Sequence, residues 1–354
     1  MSDLSVNSIL DASGGATTTI NGFTPTVSNM AGRNRIINGD MRIDQRNAGA
    51  SVTPASSGYT LDRWRAGLSV ASKYSVQQST AAPAGFSNSL LVTSLSAYSS
   101  GTSENFVLQQ LVEGFNSSDF GWGTASAQTV TLSFWVRSSL TGTFGGCFAN
   151  SAHDRAYPFT YTISAANTWE QKTITVVGDT SGTWIGATNG AGIRVYFNLG
   201  SGATVSGTAG AWTTGFFVSA TGATSVVGTS GATFYITGVQ LELGTVATPF
   251  ERRPVGLELA LSQRYFETSG INAYGTFFNG NVTNAVVYYS ARTSFAVTKR
   301  ASPSVTYSNF GNSSFPATPV PFTVDATGHQ EQRTANATAN SGIFGSSWTA
   351  SAEL

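Results

Sequence analysis

The sequence predicts an all-β protein: a jelly-roll β-sandwich, one short linking helix, and a smaller C-terminal β-sandwich domain. Three observations carry that expectation. Only 10% of the 354 residues are charged, against a usual share of about 25%, and Gly, Ser, Thr and Ala fill the gaps between short β-branched and aromatic runs. Those runs recur with no helical segments between them, which speaks for many short strands in a sandwich and against a parallel α/β fold. The one credible helix begins near Pro254, between two β regions.

Residues 1–32 carry no charge between Asp11 and Arg33 and offer only isolated apolar side chains. Such a segment cannot build a core. The expectation is an extended arm that orders against a partner, with Leu4, Ile9, Ile20 and Phe23 as its anchors.

Charge density then rises abruptly. Arg33, Arg35, Asp40, Arg42, Asp44, Arg46, Asp62, Arg63 and Arg65 fall within residues 33–65, whereas residues 180–241 contain only Arg194. In so charge-poor a chain, a mixed-sign cluster rich in Arg predicts ordered ion pairs rather than a solvated face.

The jelly roll is expected over residues 33–250. Runs at 130–136, 173–177, 193–197, 215–218 and 233–243 alternate or are densely β-branched, and loops rich in Gly, Ser and Thr at 200–210 and 219–231 separate them. From Val239 to Leu243 apolar and polar residues alternate strictly, the period of a half-buried strand, and Gly238 before them suits a bulge.

Residues 251–267 are assigned to the linking helix. Pro254 suits a first helical turn, and Glu251 precedes its positive dipole end. The apolar residues Val255, Leu257, Leu259, Leu261, Tyr265 and Phe266 cover most of its circumference. A helix of that kind is buried on several sides, either wedged between two β domains or meeting copies of itself on a symmetry axis. On the second alternative Leu257, Leu259, Leu261, Tyr265 and Phe266 are the oligomer contacts.

Residues 268–354 return to β character, with strands expected at 274–278, 285–289, 294–297, 305–308 and 342–350. Pro303, Pro316, Pro319 and Pro321 confine several of these to edges or turns. No fixed-period repeat is found, so propellers and β-helices are poor candidates.

Composition also narrows function. Formal net charge is zero, so no general pull on nucleic acid or acidic lipid follows. A single cysteine, Cys147, excludes an intrachain disulfide framework and a multi-cysteine zinc site. No run of about 18 apolar residues is present, and the polar start Met-Ser-Asp-Leu-Ser lacks the features of a secretion signal. Synthesis in a cytoplasm, with no membrane insertion, is the expectation.

Catalytic apparatus is sparse. Of the two histidines, His153 and His329, the first sits between Ser151 and Asp154, but nearness in sequence is not convergence in space. No nucleophile elbow, Walker loop, His-Glu-x-x-His or EF-hand loop occurs. A pair of carboxylates for glycan hydrolysis remains conceivable, yet Asp40, Asp44, Asp62, Glu113 and Glu242 each have a nearby Arg or a strand context that favours a structural role. No catalytic residue is assigned.

Two binding chemistries are worth placing. Of the seven tryptophans, Trp122, Trp184 and Trp212 lie near glycines in expected loops, where an exposed indole face can stack on a sugar ring. The turn Asn38-Gly39-Asp40, with Glu242 on the closing strand, offers oxygens to a structural calcium ion; a simple tight turn is the plain alternative. No other cofactor is expected.

Three blocks together carry a resemblance: Gly32-Arg33-Asn34-Arg35-Ile36-Ile37-Asn38-Gly39-Asp40-Met41-Arg42-Ile43-Asp44-Gln45-Arg46-Asn47-Ala48-Gly49, then Tyr59-Thr60-Leu61-Asp62-Arg63-Trp64, then residues 234–251 through Pro249-Phe250-Glu251. The set resembles tailed-bacteriophage tail-fibre and other virion appendage proteins with a jelly roll similar to carbohydrate-binding modules, and the closing Trp348-Thr349-Ala350-Ser351-Ala352-Glu353-Leu354 fits the same group. The likeness thins between about 66 and 230.

What the resemblance implies is a virion structural protein, commonly a homotrimer, attached to other virion proteins through residues 1–32 and projecting β domains toward host surface polysaccharide. Departures from it are the absence of a long coiled coil, a β-helix or an evident chaperone domain, so a short fibre or appendage fits better than a long distal fibre. Two other functions stay open: a purely architectural decoration or cement protein of neck, tail or capsid, and a polysaccharide depolymerase.

Overall fold

The computed structural model describes residues 32–270, 276–284, 287–315 and 320–354. The first ten strands are β1 (Gly58–Leu61), β2 (Trp64–Leu68), β3 (Tyr74–Ser79), β4 (Ser89–Ser94), β5 (Asn105–Glu113), β6 (Val130–Ser138), β7 (Gly142–Ala149), β8 (Arg155–Ile163), β9 (Glu170–Val176) and β10 (Ala191–Ser201). Three short strands, β11 (Ser206–Gly207), β12 (Thr213–Thr214) and β13 (Ser219–Ala220), precede the long closing strand β14 (Thr233–Leu243).

Twelve of these strands form two facing sheets, ordered β1-β2-β5-β10-β7-β8-β12 and β3-β4-β14-β6-β9, while β11 and β13 pair in parallel as a small sheet of their own. All pairings within the two sheets are antiparallel. Alternate residues of each strand point into the space between them, and Trp64, Phe134, Tyr161 and Phe197 fill its middle. The Phe134 ring meets Tyr161 at 5.0 Å and Phe197 at 5.1 Å, both edge to face. The chain is all-β, and this larger unit is a jelly-roll sandwich.

The closing strand turns its apolar residues inward as its alternation predicts, but it is not half-buried: Gln240 and Glu242 are 0% and 1% exposed, because their side chains hydrogen-bond each other and Thr248. Val239 and Leu241 are fully buried in the core, and Gly238 adopts φ +60° where the register against β6 shifts. The segment after Gly32 runs alongside it: Arg35 N–H donates to the Leu241 carbonyl (2.9 Å) and Val239 N–H to the Gly39 carbonyl (2.9 Å). The charged residues of this segment are ordered, as expected, mostly by distant partners. Arg35 reaches Asp119 (2.6 Å), Arg46 reaches Glu353 (2.6 Å), and Arg63 also bonds Glu353.

Two strand expectations need correcting. Residues 215–218 form a loop, with Gly215 at φ +117°, because Val218 is recruited into a small side cluster with Val205 rather than into a sheet. Residues 294–297 run from the end of a strand into a loop whose amides are taken individually: Phe295 N–H donates to the Thr327 carbonyl and Ala296 N–H to Glu267.

The helix α1 spans Val255–Gln263, shorter than residues 251–267, because its last turn gives way to strand β15 (Phe266–Thr268). The second sandwich continues with β16 (Thr276–Val282), β17 (Tyr288–Ser294), β18 (Ser304–Ser313), β19 (Val320–Asp325), β20 (Gly328–Thr334) and β21 (Ala339–Ser351). β21 is flanked by β18 on one side and by β15 and β16 on the other, while β17, β20 and β19 make a second sheet. Among the described residues no helix is long and apolar enough to cross a membrane.

Candidate functional site

The three tryptophans chosen from sequence converge. Trp122 lies 4.8 Å from Trp184 and 5.2 Å from Trp212, and those two lie 5.4 Å apart, every pair edge to face. They come from three separate loops that meet at one end of the sandwich. Gly-rich loops would not hold that arrangement alone; the bidentate Arg155–Asp179 pair (both contacts 2.7 Å) anchors the loop that carries Trp184.

Exposure is less than expected. Trp122 is 7% exposed and belongs to the main core, so it is not a binding surface. Trp184 and Trp212 are half-buried against it. All three indole N–H groups are committed to backbone carbonyls, of Gln128 (2.8 Å), Ser181 (3.2 Å) and Val177 (2.6 Å). What remains to a ligand is the apolar surface of Trp184 and Trp212.

The calcium expectation fails on its donors. Asn38 is fully buried; its Oδ1 accepts from Ile43 N–H (2.9 Å), and its Nδ2 donates to the Ile43 (2.8 Å) and Asp62 (2.9 Å) carbonyls. Asp40 pairs with Arg42. Glu242 accepts from Gln240 Nε2 (2.7 Å) and from the N–H (2.9 Å) and hydroxyl (2.6 Å) of Thr248. Most of these oxygens hold the turn and the closing strand, while Asp40 Oδ1 is buried without a hydrogen-bond partner. Among the described residues no three His, Cys, Asp or Glu side chains gather as a metal site.

The other acids named from sequence are equally committed. Asp44 accepts the N–H groups of Asn47 (3.0 Å) and Gly49 (2.7 Å), and Glu113 takes a bidentate contact from Arg264 (3.0 and 2.6 Å) and the Tyr265 hydroxyl. Cys147 is fully buried, and burial pushes its thiol far above its ordinary range.

The helix inverts the usual polarity. Its buried residues are Glu258 and Ser262, whereas Val255 and Leu257 are 58% and 49% exposed. Glu258 turns inward because its carboxylate accepts the backbone N–H of Asn38 and lies 3.5 Å from Arg253; burial raises its pKa against the pull of that guanidinium. Leu259 and Leu261 are half-buried. Tyr265 and Phe266 do not share the outward face: both are buried in their own chain, lying under the guanidinium groups of Arg63 (3.6 Å) and Arg46 (3.7 Å).

A groove of about 410 Å³ borders the helix, lined by Ile37, Pro254, Leu257 and Leu261 with Arg35, Glu251 and Arg253 among its polar residues. Gly32 lies on its rim, and Glu251 accepts the backbone N–H groups of Gly32 (2.6 Å) and Asn34 (2.8 Å). Sequence reading had not assigned Glu258, Arg253 or Glu251 to this site. The available signal was the spacing of Glu258 and Ser262, one stripe of an α-helix. The expected anchors Leu4, Ile9, Ile20 and Phe23 lie outside the described residues.

No family model matches the chain, nor does any curated protein sequence. Several solved structures are similar in fold. The enzymatically active domain of tailspike protein 4 from bacteriophage CBA120 is 13% identical, with 59% of this chain and 21% of that one covered and a TM-score of 0.31. A family 11 carbohydrate-binding module from Clostridium thermocellum, solved with a β-1,3-1,4-mixed-linked tetrasaccharide, is 10% identical over 56% of this chain and 98% of its own, at 0.29. The CBM22-1 xylan-binding domain of Paenibacillus barcinonensis Xyn10C is 12% identical over 57% and 99%, at 0.25. This chain thus spans 21% of the tailspike domain, and at such scores none of these likenesses carries a functional argument.

Proposed function

We propose that the chain is a structural subunit of a tailed-bacteriophage virion, a short tail fibre or appendage that assembles as a homotrimer and presents its jelly roll to host surface polysaccharide. The observation that carries the reading is α1, which turns Glu258 and Ser262 inward and leaves Val255 and Leu257 outward. The outward apolar surface of Val255 and Leu257 is unfavourable in water by roughly 25 cal/mol per Å², and covering it with copies of the chain removes that cost. The sequence resemblance supplies the virion, the trimer and the attachment through residues 1–32; the half-buried Trp184 and Trp212 are the glycan surface in this reading.

The architectural reading, a decoration or cement protein without glycan affinity, has one observation in its favour. All three indole N–H groups are already satisfied within the protein, which suits a packing role. No reaction is assigned to the chain.

The test uses two variants of the full chain. Leu257→Asp changes a residue that is 49% exposed, so the fold survives, but it buries a charge at each copy of the interface, at a cost of several kcal/mol. Light scattering should report monomer where the wild type is trimeric. Deleting residues 2–30 should leave a folded oligomer that no longer joins particles. An unchanged Leu257→Asp oligomer rejects the helix as the contact, and retained incorporation of the deletion rejects the attachment.

A further inference from the structure

The outer face of the seven-stranded sheet carries a second polar constellation, built on strand residues rather than on the loops that hold the three tryptophans. Strand register places Arg65 on β2 beside Gln109 on β5, and Gln109 beside Tyr196 on β10. Arg194 stands two residues before Tyr196 on the same strand face. Neighbouring strands are about 5 Å apart and alternate residues about 7 Å apart, so these four side chains share a patch on the order of 10 Å across.

Two loop residues overhang it. His153, held at φ +59°, brings its Nδ1 to 3.3 Å from the Tyr196 hydroxyl. Phe216 lies 5.1 Å from the His153 ring and is 44% exposed. Burial first, and then Arg194 and Arg65, hold the His153 imidazole down at about 4, so near neutrality it is uncharged.

The patch contains charge that no carboxylate neutralises, although Arg194 also hydrogen-bonds the Tyr196 hydroxyl. Among the described residues neither Arg65 nor Arg194 makes an ion pair, although many of the other arginines do. Gln109 is 3% exposed, yet its Oε1 has no hydrogen-bond partner, and Arg194 Nε is buried and equally unsatisfied. Buried polar atoms are normally paired, so these two leave capacity unused within the patch. Guanidinium groups select planar or tetrahedral oxyanions, the amide oxygen of Gln109 accepts a hydroxyl, and the exposed Phe216 ring offers a stacking surface.

We propose that this face binds an anionic saccharide, one whose sugar carries a carboxylate or a phosphate, with Arg65 and Arg194 on the anion, Gln109 on a hydroxyl and Phe216 against the ring. It deepens the reading of the chain as a binder of surface polysaccharide and rests on that reading for the class of ligand only. The site itself stands on the two arginines.

Calorimetric titration of the full chain with trigalacturonate, its neutral counterpart galactotriose, and inorganic phosphate tests it. Trigalacturonate should bind, with an affinity that falls as salt rises, and galactotriose should bind far more weakly. Arg65→Gln with Arg194→Gln should weaken trigalacturonate roughly tenfold or more, the worth of a charge-assisted hydrogen bond. Should that pair fail to fold, Phe216→Ala at the exposed edge must still weaken binding. Loss of galactotriose binding in Trp184→Ala with Trp212→Ala reads the tryptophan surface by itself, which separates failure of this site from failure of that one. Phosphate binding with the same arginine dependence supports the site and assigns it to phosphorylated sugars. Equal affinity for the neutral trisaccharide, no binding of either anion, or binding indifferent to the arginines and to Phe216 overturns the proposal.

Discussion

The two sandwiches are stabilised by different chemistry. The jelly roll encloses a continuous apolar core in which aromatic rings such as Trp64, Phe134, Phe159 and Phe197 pack on one another. Among its described residues the C-terminal sandwich has two small clusters, one around Phe315 and Phe344 and one around Phe295 and Trp348, and the inward residues of β20 are His329, Glu331 and Arg333. Arg333 pairs with Glu331 at 2.7 Å with both side chains fully buried. The smaller unit also leans on the larger, since Arg46 and Arg63 of the jelly roll hold Glu353, and Gln45 Nε2 donates to the Phe266 carbonyl (3.0 Å). The larger unit buries polar groups too, Asn38, Gln240 and Glu242 among them, but its central cluster is apolar; the smaller unit buries a charged pair on the inward side of a strand.

The largest expected effect lies in the first. Phe197→Ala empties a site ringed by Trp64, Phe134 and Phe159 and should cost about 3–5 kcal/mol. Scanning calorimetry should show the jelly-roll transition lowered. A loss below about 1 kcal/mol would mean that the core repacks freely and that the contrast drawn above is false.

Arg333→Met should cost about 3 kcal/mol, the lower end for removing one partner of a buried ion pair, with the loss confined to the C-terminal transition. The double variant Arg333→Met with Glu331→Leu should recover most of it, because two apolar groups bury no charge. If the double variant is no better than the single, the pair contributes through specific geometry and the smaller core is not limited by polar burial.

This contrast was only partly legible in the sequence. Alternation located the long strands β6, β10 and β14, whose inward residues are largely apolar at every second position, and β character located β21, where Ser346 interrupts the inward apolar row. It did not locate β7, because Gly is depleted in strands; there a Cβ at Gly146 would sit 2.3 Å from the Phe159 ring. Loop composition identified Trp122, Trp184 and Trp212, yet their mutual packing depends on contacts between loops far apart in sequence. The polarity of α1 was hidden for the same reason: Glu258 is drawn inward by Asn38, 220 residues earlier. Local periodicity reads what a residue does to its own element, and a partner that distant leaves no local trace.

The smallest effect is a difference in how acid acts on the two units. His329 is buried against Phe295, Tyr307 and Trp348, and burial, with Arg292 adding to it, lowers its pKa from 6.5 to about 4. A histidine held neutral in the fold gives stability that is present above pH 6.5 and is lost as pH falls toward 4. In the jelly roll His153 acts in the same direction, but Asp62 opposes it. Burial raises the Asp62 carboxyl from 3.8 to about 6 despite Arg46 and the two hydrogen bonds from Gln45. The folded jelly roll therefore holds a proton there that the unfolded chain has lost, so this group's stabilising contribution grows as pH falls from about 6 to about 4. Between pH 6.5 and 4 the C-terminal transition should fall while the jelly-roll transition stays nearly level, and Asp62→Asn should make the jelly roll fall as well. Parallel decline of both transitions in the wild type would show that Asp62 does not offset His153, and would remove pH response from the differences between the two sandwiches.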